Sequence, residues 1–239
     1  FKEKLDLHHI PALSNVLYSE DILFPIADFY LKKERWNEAI EVYEEMETIG
    51  ALQGRGAEYY QKLGYALQKN KKYAEAIDAY LKADTLKPDN IWNNRHLAIC
   101  YRLNRNYQAA LSYYKKVEEA TPEDTNVIFH IGSCLAELGQ YEEAANYFFK
   151  LDFIESNCKQ AMKYYEKIIE QKPLAIDYMN AGHVAWTMGD IQKAAALYGK
   201  SITANGNRER FLEMFRKDKE ALLKQGIQEE DIPLMLDLL

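Results

Sequence analysis

The sequence predicts an all-α fold in which pairs of helices repeat along the chain, and three observations support this prediction. An alanine followed four positions later by Tyr or Phe recurs in six segments. The spacing is nearly constant, because Ala76, Ala110 and Ala144 are separated by equal intervals. Only 11 glycines and 6 prolines occur among 239 residues, which favours long regular elements. Self-similarity at such a period indicates stacked helical repeats.

Each period is expected to contain two helices. In the second helix, the alanine and the aromatic ring lie on one face because residues i and i+4 are neighbours on a helix. The first helix carries a small residue at an equivalent place, and we expect the ring of the second helix to fill the space opposite it. These small residues are Gly64, Ala98, Gly132 and Gly182. Most of the 18 tyrosines are therefore assigned to packing.

The pattern resembles the tetratricopeptide repeat family, whose unit is a helix–turn–helix of about 34 residues. The resemblance covers roughly residues 20–208. It implies an α-solenoid, a right-handed superhelix whose first helices line a concave face. One predicted repeat carries the family's pattern at Tyr60, Leu63, Gly64, Leu67, Tyr73, Ala76, Tyr80, Ala83 and Pro88. The predicted repeats are about 20–53, 57–90, 91–124, 125–157, a partial 158–174, and 175–208.

The two ends of the chain depart from the repeat. Residues 1–19 fit no repeat and are interpreted as the remnant of an earlier one. Residues 209–239 are predicted to form a capping helix and an acidic, then apolar, tail. Four apolar residues at helical spacing and a terminating Gly226 predict the helix. These four are Phe211, Met214, Phe215 and Leu222.

The tail, residues 227–239, ends in four leucines that are too apolar for a free segment. We expect Leu234, Leu236, Leu238 and Leu239 to be packed or bound. Self-association through residues 227–239 is one way in which they would be covered.

The register slips once by half a repeat. Ala110 and Ala144 are a full repeat apart, whereas Ala144 and Ala161 are only half a repeat apart. In one interpretation, a helix of about 17 residues, half of the family's repeat, is missing between Asn157 and Cys158. In the other, the chain contains an odd helix. The first is favoured, because an odd helix of this pattern would expose or mispair an apolar stripe.

Composition narrows the classes of function. The net charge of −7 argues against binding to nucleic acid or to anionic membranes. Three cysteines without close spacing predict neither a disulfide framework nor a zinc site, and a cytoplasmic location is expected. His8 and His9 lack further metal ligands nearby. The sequence contains no apolar run of the about 18–20 residues that a membrane span needs. It also contains no nucleotide-binding or catalytic motif, so neither a cofactor nor an enzymatic activity is predicted.

The resemblance also implies which side chains would contact a ligand, because the family binds ligands on the first helices of its repeats. Trp and Arg among them are typical of binding hot spots. The Lys and Asn positions that grip a C-terminal carboxylate in some family members are not matched, so that ligand is not expected. The implied residues are Tyr65, Lys69, Trp92, Arg95, Ile99, Arg102, Phe129, His130, Met179, His183 and Trp186.

The sequence thus predicts a non-catalytic protein-interaction scaffold that binds a peptide or a partner protein in a concave groove. The alternative is a regulatory or assembly domain of a larger protein whose catalytic part lies before Phe1. Single-stranded RNA binding would need a basic channel, and the acidic composition argues against it.

Overall fold

The computed structural model describes residues 19–50, 54–151 and 155–239, and regular structure in these ranges is entirely α-helical. The contacts divide the described residues into two compact units, an N-terminal unit that ends at Ala120 and a C-terminal unit that begins at Thr121. The predicted all-α helical-repeat fold is confirmed. The predictions for residues 1–18, including His8 and His9, lie outside the described residues.

The N-terminal unit is a row of three helical hairpins. Within each hairpin, the two helices pack against each other, and the second helix of one hairpin packs against the first helix of the next. The hairpins are α1 (Glu20–Lys32) with α2 (Trp36–Thr48), α3 (Gly56–Lys69) with α4 (Tyr73–Leu86), and α5 (Ile91–Leu103) with α6 (Tyr107–Ala120).

The C-terminal unit contains two hairpins, a single helix between them, and two terminal helices. The hairpins are α7 (Thr125–Glu137) with α8 (Tyr141–Lys150) and α10 (Ala175–Thr187) with α11 (Ile191–Asn205). The single helix, α9 (Glu155–Ile169), packs against both α8 and α10. The terminal helices are α12 (Arg208–Lys224), which packs against α11 and α10, and α13 (Asp231–Asp237).

Close contact between a small residue and an aromatic ring fixes the geometry of the hairpins. A Cβ atom added to Gly64 would lie 2.8 Å from the Tyr80 ring, and one added to Gly132 would lie 3.2 Å from the Phe148 ring. A Cβ atom at Gly182 would collide with the ring of Tyr198. The predicted packing of ring against small residue is therefore confirmed in these three hairpins.

The turns inside the hairpins also repeat. Lys71, Arg105 and Gly139 have positive φ values of 63°, 61° and 78°, and they recur at the same interval as the alanines of the repeat. At each turn, the next amide donates a hydrogen bond across the turn to the helix that has just ended, as from Gln140 N to Leu135 O at 2.9 Å. This left-handed cap ends one helix and directs the chain into the next.

Helix α9 explains the half-step in the repeat. It runs without a break through Asn157 and Cys158, so the interpretation that a helix is missing between them is wrong. Its apolar stripe is buried, namely Cys158, Ala161, Met162 and Tyr165. The reason is that α8 and α10 cover α9 from both sides. The Tyr165 hydroxyl donates a 2.6 Å hydrogen bond to Asn146 Oδ1 on α8.

The capping helix lies where the sequence predicts it. Phe211, Phe215 and Leu222 of α12 are buried, and Gly226 follows the helix with a φ of 91°. Gln225 Nε2 donates a 2.8 Å hydrogen bond to the carbonyl oxygen of Phe149, at the end of α8. None of the helices in the described ranges has the length and apolar character that crossing a membrane requires.

Candidate functional site

The candidate site is a row of exposed and partly exposed rings in the N-terminal unit. Trp36 begins α2, Tyr65 lies on α3, and Trp92 and His96 lie one turn apart on α5. The ring centroids are 6.0 Å apart from Trp36 to Tyr65 and 6.3 Å from Tyr65 to Trp92. Those of Trp92 and His96 are 4.0 Å apart. Three helices that are distant in the sequence thus present one continuous aromatic surface.

Beneath these rings, a buried layer fixes the position of His96. The ring of His96 stacks on Tyr80 with 5.7 Å between centroids. Gln68 Oε1 lies 2.8 Å from His96 Nδ1 and accepts a 2.9 Å hydrogen bond from the Tyr80 hydroxyl. Because an amide oxygen only accepts, His96 Nδ1 donates to it. Tyr80 and Gln68 therefore fix the ring of His96, against which the ring of Trp92 packs.

His96 is neutral near pH 7. Burial, together with the positive charges of Lys69 and Arg95, lowers its pKa to about 4. Lys69 and Arg95 thus both act on the ring of His96. Positive potential at this surface therefore comes from the two cationic side chains and not from the imidazole.

Basic side chains continue along the edge of the rings. Lys69 Nζ lies 5.3 Å from the centroid of the Tyr65 ring, at a distance typical of a cation–π contact. Trp92, Arg95, Ile99 and Arg102 lie three to four positions apart on α5 and share one side of that helix. Arg102 Nε donates a 3.4 Å hydrogen bond to the Tyr114 hydroxyl. The sequence of α5 includes two arginines and no acidic residue.

We call the set Trp36, Tyr65, Lys69, Trp92, Arg95 and His96 the aromatic–basic patch. Trp92 is the most notable member, since 42% of its surface is exposed although tryptophan is among the most apolar side chains. Lys69 is exposed, and the other four members are partly exposed. The patch thus offers apolar, π and cationic contacts on a rigid support.

Two predicted residues of the C-terminal unit lie at its first hairpin. Phe129 and His130 on α7 are both partly exposed, and their rings are 5.6 Å apart. The ring of Phe129 packs edge-on against Phe148, with 5.5 Å between centroids. Phe129 is therefore partly committed to the packing of its own hairpin.

The other three predicted residues of this unit are buried. Met179, His183 and Trp186 on α10 have exposed fractions of 0%, 1% and 4%. Phe215 of α12 covers two of them, with ring centroids 5.4 Å from His183 and 6.3 Å from Trp186. The prediction that these three side chains line an open surface is wrong, because the capping helix occupies the face on which they lie.

Sequence reasoning missed Trp36 and His96 as components of the site. A signal for His96 was present, since it follows Trp92 by four positions and therefore lies on the same side of α5. Trp36 occupies the first position of a second helix, like Tyr73 and Tyr107. Its contact with Tyr65 depends on how two neighbouring hairpins pack, which repeat spacing does not specify.

Metal-binding clusters and exposed thiols are absent from the described ranges. No group of three or more His, Cys, Asp or Glu side chains in the described ranges is placed to hold a metal ion. Burial raises the pKa of the Cys100 thiol to about 12, so it is protonated and a poor nucleophile. Cys134 and Cys158 are also buried. What this arrangement can do is contact another molecule through the exposed rings and cations.

Comparison with known protein families gives one consistent result. Tetratricopeptide repeat models match residues 23–53, 57–90, 101–161 and 178–208. Together these matches cover more than half of the chain. They include α2, which begins with Trp36, and the part of α3 that carries Tyr65 and Lys69. No curated protein matches the chain at a significant level.

Solved structures with a similar fold include two of the protein MamA. A fragment of MamA from Desulfovibrio magneticus RS-1 is 16% identical, covering 77% of this chain and 94% of that chain with a TM-score of 0.50. A double mutant of MamA from RS-1 is also 16% identical, covering 77% and 93% with a TM-score of 0.51. YrrB, described as a TPR protein with an unusual peptide-binding site, is 20% identical, covering 86% and 96% with a TM-score of 0.48. At these identities, the MamA structures support the helical-repeat fold alone.

Proposed function

Because this chain belongs to the tetratricopeptide repeat family, we propose that it is a non-catalytic interaction scaffold that binds a peptide or partner protein on the aromatic–basic patch. Repeat proteins of this kind present extended surfaces to partners. Fold alone does not choose the surface, so the proposal depends on the properties of the patch itself.

The observation that carries the proposal is the exposed Trp92 on a fixed base. Trp92 touches His96, and His96 is held by Tyr80 and Gln68. A tryptophan that is already ordered loses little side-chain entropy when a partner covers it. Such rigid, partly exposed aromatic residues are typical of binding hot spots.

The chemistry of the patch indicates a partner with an apolar anchor beside an acidic group. The rings of Tyr65 and Trp92 would cover an aliphatic or aromatic side chain. Arg95 and Lys69 would attract a carboxylate. A short acidic and apolar peptide segment, helical or extended, meets both requirements.

Selection of peptides from a displayed library against the intact chain would test this function. We expect the selected peptides to be enriched in acidic and large apolar residues. Truncating a hot spot costs at least about 2 kcal/mol, or roughly 30-fold in Kd. Trp92→Ala should therefore weaken binding of the selected peptides by roughly 30-fold in a titration, and Arg95→Ala should also weaken it.

The control is Leu174→Ala, which removes an even more exposed apolar side chain from the C-terminal unit. Its affinity for the peptides should equal that of the unchanged chain. Circular dichroism should show that all three variants are folded. Unchanged affinity in both Trp92→Ala and Arg95→Ala would show that the patch is not the binding site.

A further inference from the structure

The C-terminal helix α13 presents an apolar face that the rest of its unit does not cover. Leu234 and Leu238 are 64% and 62% exposed, more than any other large apolar side chain in the described ranges except Leu174, which equals Leu238. Leu234 lies in the helix, and Leu238 directly follows it with helical backbone angles, so these residues four positions apart lie side by side. The prediction that the tail leucines are packed or bound is thus not met for these two within their own unit.

The opposite side of α13 is anchored. Ile232 and Met235 are buried, and an Arg208 guanidinium nitrogen donates a 2.7 Å hydrogen bond to the carbonyl oxygen of Leu236. Just before the helix, Lys219 Nζ and Glu229 Oε1 form a 2.6 Å ion pair. Leu234 and Leu238 are therefore held outward by a fixed helix. Little conformational entropy remains to be lost when a partner covers them.

The charge of this segment is the opposite of that of the aromatic–basic patch. Residues 228–239 contain four acidic side chains and no Lys or Arg: Glu229, Glu230, Asp231 and Asp237. The patch carries Lys69 and Arg95, and Arg102 continues it along α5, whose sequence has no acidic residue. Opposite potentials on two surfaces favour their encounter and fix their orientation.

We propose that the leucine face of α13 docks on the aromatic–basic patch of a second copy of this chain. Leu234 and Leu238 contact the rings of Tyr65 and Trp92, while the flanking carboxylates of Asp231 and Asp237 face Lys69 and Arg95. This is recognition of an amphipathic helix by a complementary surface. The inference rests on the proposed function, since it names an occupant for the same patch.

The two surfaces are different, so the contact is head-to-tail. Each copy in a pair leaves one of its two surfaces available to a further copy, and association continues unless the arrangement closes into a ring. Two leucines and a few charges form a small contact, which is typical of weak, transient association. The average mass in solution should therefore rise with protein concentration and fall when salt screens the charges.

Sedimentation velocity on the full chain across a range of concentrations would test this proposal. The unchanged chain should associate increasingly with concentration. Leu234→Gln/Leu238→Gln should remove the tail surface, and Trp92→Ala/Arg95→Glu should remove the patch surface. We expect each double variant to associate at least tenfold more weakly. The control Leu174→Gln/Ile191→Gln alters two exposed apolar side chains elsewhere and should associate like the unchanged chain.

Mixing the two defective variants provides the decisive measurement. The tail variant keeps an intact patch, and the patch variant keeps an intact α13, so the mixture retains one compatible contact. It should form a 1:1 complex and no larger species at concentrations at which each variant alone is monomeric. Circular dichroism should show that both variants retain the helicity of the unchanged chain.

The outcomes separate this inference from the proposed function. A chain that remains monomeric up to about 1 mM, the range of weak affinities, would overturn the inference. So would self-association that is unaffected by the tail variant. If, in either case, the patch variant binds the selected library peptides more weakly than the unchanged chain does, the proposed function stands. Another partner then occupies the patch. If the patch variant changes neither peptide binding nor self-association, both the proposed function and this inference are overturned.

Discussion

At the scale of single residues, Gly139 and Gly199 isolate two opposite effects of glycine on stability. Neither would place a Cβ atom within 4 Å of another group, so steric contact is absent from both. Gly139 has a φ of 78° at a helix end, whereas Gly199 lies inside α11. We expect Gly139→Ala to lower the free energy of unfolding by about 1 kcal/mol, because a Cβ atom strains the left-handed backbone.

Gly199→Ala should instead raise the free energy of unfolding by about 0.5–1 kcal/mol, because alanine loses less backbone entropy in a helix. Urea unfolding of the two variants would measure both changes, and each variant serves as the other's control. Equal changes in the same direction would contradict the assignment of Gly139 to a left-handed turn.

His96 and His183 predict how stability depends on pH. Burial lowers the pKa of both; the charges of Lys69 and Arg95 add to the effect at His96, whose pKa is about 4, and Asp218 partly opposes it at His183. In the unfolded chain, both titrate near pH 6.5. As the pH falls below about 6.5, the unfolded state binds more protons, and the free energy of unfolding decreases.

The measurement is urea unfolding at several pH values between 7 and 5. The double variant His96→Gln/His183→Gln should lose less stability over this interval than the unchanged chain does. Both proteins carry the same carboxylates, so the difference in slope reports mainly the two histidines. Parallel curves would show that neither histidine is held neutral by the fold.

At the scale of a helix, α12 determines which part of α10 is accessible. Phe215 contributes most visibly, since its ring contacts Trp186, His183 and Tyr198. We expect Phe215→Ala to lower the free energy of unfolding by about 3 kcal/mol, as is typical for truncating a buried phenylalanine. It should also shift tryptophan emission to longer wavelength, because Trp186 becomes exposed to water.

A matched control lies on the same helix. Glu213 is exposed, and Glu213→Ala should leave both stability and tryptophan emission nearly unchanged. If Phe215→Ala behaves like this control, α12 does not cover α10 in solution. In that case, Met179, His183 and Trp186 would return to the set of accessible side chains.

Helix α9 shows that a helical repeat array accepts an odd element. Its Ala161 and Tyr165 follow the pattern of a second helix, yet no first helix precedes it in the usual place. The pattern survives because both residues are buried between α8 and α10. An apolar stripe needs neighbours that cover it, and their order in the sequence is not itself a requirement.

At the scale of the whole molecule, the helices pack chiefly against helices that are close in the sequence. A destabilising substitution should therefore affect mainly the helices around it. Gly182→Ala would force a methyl group into the fully buried ring of Tyr198, at a cost of about 1–3 kcal/mol. Hydrogen exchange measured by mass spectrometry should become faster in α10, α11 and α12. Exchange in α1 to α5 should stay nearly unchanged, because each helix gains stability mainly from its neighbours.

The comparison variant for this experiment is Gly199→Ala, which changes the same unit without a steric conflict. It should leave exchange in every helix equal or slower. Faster exchange across all described helices in Gly182→Ala would indicate that the chain unfolds as a single cooperative body.

The sequence by itself determined the helix pairs, the capping helix and the contact between ring and small residue seen in three hairpins. These features depend on spacings within one or two helices, such as Gly64 opposite Tyr80, and repetition reveals them. Only the tertiary structure decided that Trp92 is exposed while Trp186 is buried, and that α9 packs without a first helix. The physical reason is that a spacing specifies the direction in which a side chain points. What covers that side chain is set by helices distant in the sequence, as α12 covers Trp186.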